Sequence, residues 1–276
     1  MIFIIYKLFK FCYVIFMVDK YCWLGPGGNK PFDSLLSDWK ASKISKRSIC
    51  VLKYIKDHSP IDIEVYKANI INYLIENDVG SEGLTDKHTY SPLLFVNFIS
   101  KDDEKLEITE SGINFLNNID NEKFENATEI YLDNLFHANF ETDATKDIEI
   151  RAFPVQIMFK LLYDKKIIPL FMFQTHIQFI KDYSDLVVCL GLLDDDCFFK
   201  YTQELKDFYK ENEVKFKSIY KLGTEKWKFY IIGCLVALEI FDKVAYDKGY
   251  LKFTDYGIRY VERKDINNIS YKEMFY

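Results

Sequence analysis

Two stretches of this chain carry the same eleven-residue pattern. Residues 106–116 read LEITESGINFL and residues 251–261 read LKFTDYGIRYV. Both fit Leu, any residue, Ile or Phe, Thr, an acid, any residue, Gly, Ile, any residue, an aromatic and an aliphatic. Each predicts a short half-buried strand that ends at a Thr able to cap a helix. The acid after the Thr complements the positive end of that helix. The glycine three places beyond the Thr permits close packing. The first copy follows the turn Lys-Asp-Asp-Glu-Lys of residues 101–105, and the second follows KVAY–DKG–YLKF, whose Asp-Lys-Gly predicts a tight hairpin loop.

Helical spacing surrounds both copies. A helix is predicted at about 32–39 and another at 45–57, where Ile49, Leu52, Tyr54 and Ile55 supply the apolar positions. Ser59-Pro60 ends the latter. A helix at 64–76 is predicted to bury Val65, Ala68, Ile71, Leu74 and Ile75, and Ser91-Pro92 is read as a cap and first position opening a helix at 93–99. Further helices are expected at 122–140, 154–163, 170–183, 199–221 and 227–241. Helices, a two-stranded wing and a further helix follow one another in many winged-helix modules. The predicted fold is therefore mainly α with small β wings, as tandem winged-helix modules joined by a helical region. A first DNA-recognition domain would span 17–145, and a helical connector plus a second winged-helix domain 146–276, with the boundary near 142–149. The other reading is a pair of unrelated strand-to-helix corners in an α+β protein.

Composition fits that reading. Among 276 residues there are only 11 Gly and 6 Pro, which favours long helices over a loop-rich β protein. A net charge of −6 gives no global field for a polyanion, but the charge is polarised. Residues 39–56 hold Lys40, Lys43, Lys46, Arg47, Lys53 and Lys56 and no acid, whereas 102–149 hold fourteen acids against three bases. Two unrelated solvated faces would give the same pattern. Residues 1–16 are apolar but broken by Lys7 and Lys10, too short to span a bilayer, and followed at Met17 by an ordinary start. They are read as a start-site artefact on a cytoplasmic chain with no membrane partner.

Sites for chemistry are not evident. The six cysteines form no C-x-x-C pair and the four histidines have no metal spacing, so no zinc site is expected and reduced, mostly buried thiols are. Residues 25–31, GPGGNKP, lack phosphate-loop spacing, and Asp194-Asp195-Asp196 reads as a loop or helix start. Acid-x-Lys triplets at 38–40, 164–166, 213–215 and 262–264 are not on paired strands. No catalytic residue is assigned.

The succession HTYSPLLFVNFISKDDEKLEITESGINFL, EIYLDNLFHANF and IRAFPVQIMFKLL resembles the N-terminal half of AlwI-type restriction endonucleases, and more distantly the recognition domains of FokI. The resemblance covers roughly 23–263 and is strongest over 88–162. It implies recognition of a short asymmetric duplex site, in bacterial restriction–modification, with cleavage by a separate PD-(D/E)-x-K nuclease domain using Mg²⁺. This chain departs from the pattern in ending at Tyr276, where the family continues into that domain. The nuclease is therefore expected as a missing domain or separate subunit, and no cofactor is expected within the chain itself.

On that reading the partner is double-stranded DNA. Lys40, Lys43, Lys46, Arg47 and Lys53 are expected along a phosphate backbone, where lysines displace condensed counterions. Thr85, Lys87, His88, Thr89 and Tyr90 precede the first wing and are expected to meet base edges. In the family this run carries a basic residue, a place held here by Lys87 and His88. Lys226, Lys228, Lys248 and Arg259 are weaker phosphate candidates around the second wing. The alternatives are a non-catalytic winged-helix regulator and a protein-interaction scaffold, which the 17% aromatic content would suit.

Overall fold

The computed structural model describes residues 32, 40, 42–79, 86–138, 151–175, 177, 180–193 and 230–276. The expected start-site artefact at 1–16, most of the helix at 32–39, the boundary at 142–149, the helix at 199–221 and the glycine-rich 25–31 lie outside them. The described chain is mainly helical, with short strands in two small antiparallel sheets.

The first half opens with α1 (Lys43–His58), capped by Ser42, whose hydroxyl accepts from the Ser45 N–H. Strand β1 (Ile61–Asp62) leads directly into α2 (Ile63–Glu76), because the Asp62 carboxylate takes the N–H groups of Glu64 and Val65. The buried stripe of α2 is Ile63, Tyr66, Ile70 and Leu74, which shares only Leu74 with the stripe predicted from spacing; Val65 and Ile75 are 52% and 59% exposed. Tyr66 sets this rotation. Fully buried, it packs on Tyr54 and edge-on to Tyr90 and shares a 2.5 Å hydrogen bond with Thr89. Burying that ring outweighs burying a valine.

Helix α3 (Asp86–Phe95) starts seven residues before the predicted 93–99 and contains Pro92 instead of opening at it. Burial of Thr89, Tyr90 and Leu93 on one side overrides the proline's missing N–H. The hairpin of β2 (Ile99–Asp102) and β3 (Lys105–Ile108) follows, turning at Asp103 with φ 46. The sheet order is β1-β3-β2, with Ile61 opposite Leu106 and Ile99 opposite Ile108. Thr109 then caps α4 (Glu110–Asp120), which is followed by α5 (Phe124–Phe136).

The second half runs α6 (Pro154–Lys165), β4 (Ile168–Pro169), α7 (Leu170–Thr175), α8 (Tyr183–Leu193), α9 (Tyr230–Ala237), α10 (Lys243–Asp247), β5 (Tyr250–Leu251), α11 (Asp255–Arg263) and a 3-10 turn at Tyr271–Met274. Of the predicted helix at 170–183, α7 accounts for Leu170–Thr175, residues 180–182 are not helical, and α8 begins only at Tyr183. Strand β4 pairs with β5, Ile168 opposite Leu251, as Ile61 faces Leu106 in the first half.

The two copies of the sequence pattern form the same junction. The preceding helix ends at a residue with positive φ, Asn97 (55°) or Glu239 (59°). The following residue's carbonyl, Phe98 or Ile240, receives the N–H of Thr109 (3.1 Å) or Thr254 (3.0 Å). Each Thr hydroxyl accepts from the glycine N–H three residues on and donates back to the carbonyl of Asn97 or Glu239. Gly112 and Gly257 lie so close to the Phe98 and Ile240 carbonyls that a Cβ would sit 2.1 or 2.2 Å from oxygen. Glycine at this place is a steric requirement.

The copies differ ahead of the strand. The second does not form the predicted hairpin: Phe241 pairs with Phe253, but Lys243–Asp247 is a helix. Asp242 caps it by accepting from the Ala245 N–H at 2.7 Å, and Gly249, at φ 84, turns the chain into β5. Asp242 N–H also donates to the Lys252 carbonyl at 2.8 Å, closing 242–252 into one corner. The cap directs the chain into α10 before a second ladder rung forms.

One hydrophobic cluster extends through both halves. Phe32, Phe98, Phe115 and Tyr131 pack ring against ring, and the Tyr131 hydroxyl meets Cys234 Sγ at 3.2 Å, whose thiol donates to the Phe32 carbonyl. Helix α5 is the shared bracket. It holds α4 through Asn134 Nδ2 on Ser111, and α11 through Asp133, which accepts from Tyr260 Oη (2.9 Å) and Lys264 Nζ (2.6 Å). The C-terminal turn seals α6: Phe153 N–H donates to Met274, and buried Lys160 meets Asp164 and the Asn267 carbonyl.

Candidate nucleic-acid interface

The start of α1 concentrates positive charge where a helix is already positive. The Ser42 hydroxyl takes the Ser45 N–H there, the first turn has no acid, and Lys43, Lys46 and Arg47 occupy the first two turns. Such an arrangement opposes the helix dipole by a few tenths of a kcal/mol per exposed charge, roughly, and a bound anion would reverse the sign. Lys43 and Lys46 are exposed and make no ion pair among the described residues. Arg47 is half-buried, and that burial holds its guanidinium below its ordinary pKa. Lys40 and Lys53 instead reach the C-terminal end of α4, meeting Glu122 at 3.0 Å and Asp120 at 2.6 Å. Exposed pairs of this kind are worth about 0–1 kcal/mol. A phosphate competes for these lysines at little cost.

The expected base-reading run divides. Thr85 lies outside the described residues, and Lys87 and His88 fall in the first turn of α3. Thr89 and Tyr90 point inward: both are buried, one bonded to Tyr66 and the other packed on it. Starting α3 at Asp86 puts 89, 90 and 93 on the core side, so these two residues brace the helix from behind. That corrects their expected place at a base edge.

The hairpin beyond α3 is exposed from Ser100 to Lys105. Its side chains include Asp102, Asp103, Glu104 and Glu107 against only Lys101 and Lys105. This tip is acidic. In the second half Lys248 and Arg259 are exposed, as are Lys243 and Lys252, which spacing did not single out. Lys226 and Lys228 lie outside the described residues. The sequence KVAY has strand character, whereas the cap at Asp242 places Lys243 in a helix.

No catalytic constellation assembles among the described residues. The triplet at 164–166 closes α6, with Asp164 engaged by Lys160 and the Tyr271 hydroxyl. That at 262–264 ends α11, with Lys264 paired to Asp133. Among the described residues no group of three His, Cys, Asp or Glu is placed to hold a metal ion, and no helix is long and apolar enough to cross a membrane. No protein-family model matches the chain, and no curated protein matches its sequence significantly.

Proposed function

We propose that the chain is a double-stranded DNA recognition module, a winged-helix unit followed by a second half that repeats its Thr-x-x-Gly junction with a helical corner in place of the hairpin. The observation that carries this reading is the first half's order of helix, strand, two helices and hairpin, with sheet order β1-β3-β2, beside a helix that starts on Lys43 and Lys46, which make no ion pair among the described residues. An α3 braced by a buried Thr89–Tyr66 bond is a rigid rod of the sort that enters a major groove, with Lys87 and His88 at its leading end. The resemblance to AlwI-type enzymes extends the proposal: the module serves a type II restriction endonuclease, and cleavage with Mg²⁺ belongs to a separate nuclease domain or subunit.

The test is fluorescence anisotropy on labelled duplexes across a salt series. The wild-type chain is expected to bind at low salt, with log K falling linearly against log salt. Lys43→Glu with Lys46→Glu is expected to weaken binding at least tenfold, because two phosphate contacts become repulsions. Selection from a random duplex pool is expected to return an asymmetric site; a palindrome would indicate a dimeric regulator instead. The acidic hairpin favours a second reading, a protein-interaction scaffold. Absence of duplex binding at low salt would decide for that reading.

A further inference from the structure

The two copies carry opposite charge at equivalent places, which bears on how a duplex would be held. In the first copy the segment between the paired residues Ile99 and Ile108 is the hairpin, with four acids and two lysines, all on the exposed tip or strand faces. In the second copy the segment between Phe241 and Phe253 is α10 with β5, closed at its base by the Asp242–Lys252 hydrogen bond. Its exposed charges are Lys243, Lys248 and Lys252 against Asp247, since the Asp242 carboxylate is committed to capping α10. Among the described residues, none of these three lysines has an ion pair. Lys166 is exposed at the end of α6, two residues before the β4–β5 ladder begins, and adds a fourth cation.

Apolar side chains are interleaved with them. Val244 is 62% exposed, and Tyr250 and Ile167 stand partly in solvent. The register explains the last two. Ile168 and Leu251 face the core as a pair, so Ile167 and Tyr250, their neighbours in sequence, alternate to the outer face. Among the described residues, no ion pair relieves the charge that the three ammonium groups bring to this closed corner. A polyanion does, and the apolar chains between them suit the sugar edges that accompany a phosphate backbone.

We infer that the α10–β5 corner is a phosphate-contacting surface for duplex DNA, and that the first copy's acidic hairpin stays off the backbone. The inference rests on the DNA-recognition reading above and adds that the duplicated element has exchanged roles between copies. A duplex held by α1 is thereby gripped a second time by the other half of the molecule.

The decisive comparison uses the full chain, a fluorescein-labelled duplex of mixed sequence and a salt series. Lys243→Glu, Lys248→Glu and Lys252→Glu together are expected to weaken binding tenfold or more. The slope of log K against log salt should flatten by about two to three, at roughly 0.9 per lost phosphate contact. A triple Lys→Gln variant is expected to show the same flattening with a smaller loss, and unchanged circular dichroism would exclude unfolding as its cause. Lys101→Glu with Lys105→Glu is expected to leave affinity within twofold. Wild-type affinity and slope in both triple variants, on a chain that binds duplex, would overturn the corner alone. An equal loss from the hairpin pair would overturn the exchange of roles. A wild-type chain that binds no duplex at low salt would remove the DNA reading and this inference with it.

Discussion

At Gly112 and Gly257 a single hydrogen atom decides whether a helix can approach the preceding turn. A methyl at either would lie within 2.2 Å of a backbone oxygen, and backbone cannot swing aside as a side chain can. Gly112→Ala and Gly257→Ala are each expected to destabilise the fold by about 1–3 kcal/mol or more, read as a lowered urea midpoint. Gly191, in α8 with open space around its Cβ position, predicts the opposite sign: Gly191→Ala should stabilise by about 0.5–1 kcal/mol. Buried thiols act at the same scale. Burial pushes Cys189 from 9.0 up to about 12. A thiol raised in the folded state stays protonated there while the unfolded chain ionises. Its contribution to stability is therefore intact below about pH 9 and is lost as pH rises from there toward 12. Denaturation midpoints should fall across that window, and Cys189→Ala should shallow the fall. An unaltered slope would mean the thiol is not the titrating group.

Among the described elements, α5 couples the two halves. Asp133 satisfies the buried Tyr260 hydroxyl and faces Lys264, while Glu129 pairs with Arg263. Asp133→Ala strands a phenol that is 1% exposed, at a cost of about 1–3 kcal/mol, and Asp133→Asn, which keeps an acceptor, should recover much of it. Equal losses in the two variants would show that the ion pair, not the phenol's bond, matters. The elements also mark how far sequence carried. The Thr-x-x-Gly junctions were legible because capping and close approach are local chemistry, complete within a few residues. The rotation of α2 was not, because Val65 and Ile75 are as apolar as Tyr66 and Ile70, and only the space between α1 and α3 chooses. The second hairpin failed for a related reason. Lys-Val-Ala-Tyr has strand character, yet Asp242 ahead of it is a helix cap, and the cap prevailed. Of the candidate interface, the cations of α1 were legible as a charge run. The inward turn of Thr89 and Tyr90 was not, since it depends on a helix start that Pro92 disguised.

For the whole molecule the question is whether two halves that share a junction also share a folding transition. The predicted boundary near 142–149 lies outside the described residues, but the core on either side of it is continuous. Tyr131 of the first half meets Cys234 of the second inside the aromatic cluster, and α11 is bolted to α5 by Tyr260. Units joined by a large apolar interface unfold together, because opening either one exposes surface that belongs to both. The full chain is therefore expected to melt in one calorimetric transition, with its calorimetric and van't Hoff enthalpies in agreement. Gly112→Ala and Gly257→Ala should each lower that same midpoint, although the two glycines lie in different halves. Two separable transitions, each moved by only one of the substitutions, would mean that the Tyr131–Cys234 contact is an incidental touch between independent units. A single transition carries a consequence for binding. If α1 and the α10–β5 corner ride on one rigid core, their phosphate contacts are made at a fixed spacing. Loss of either should then weaken the duplex complex more than the same charge changes would if the halves moved freely.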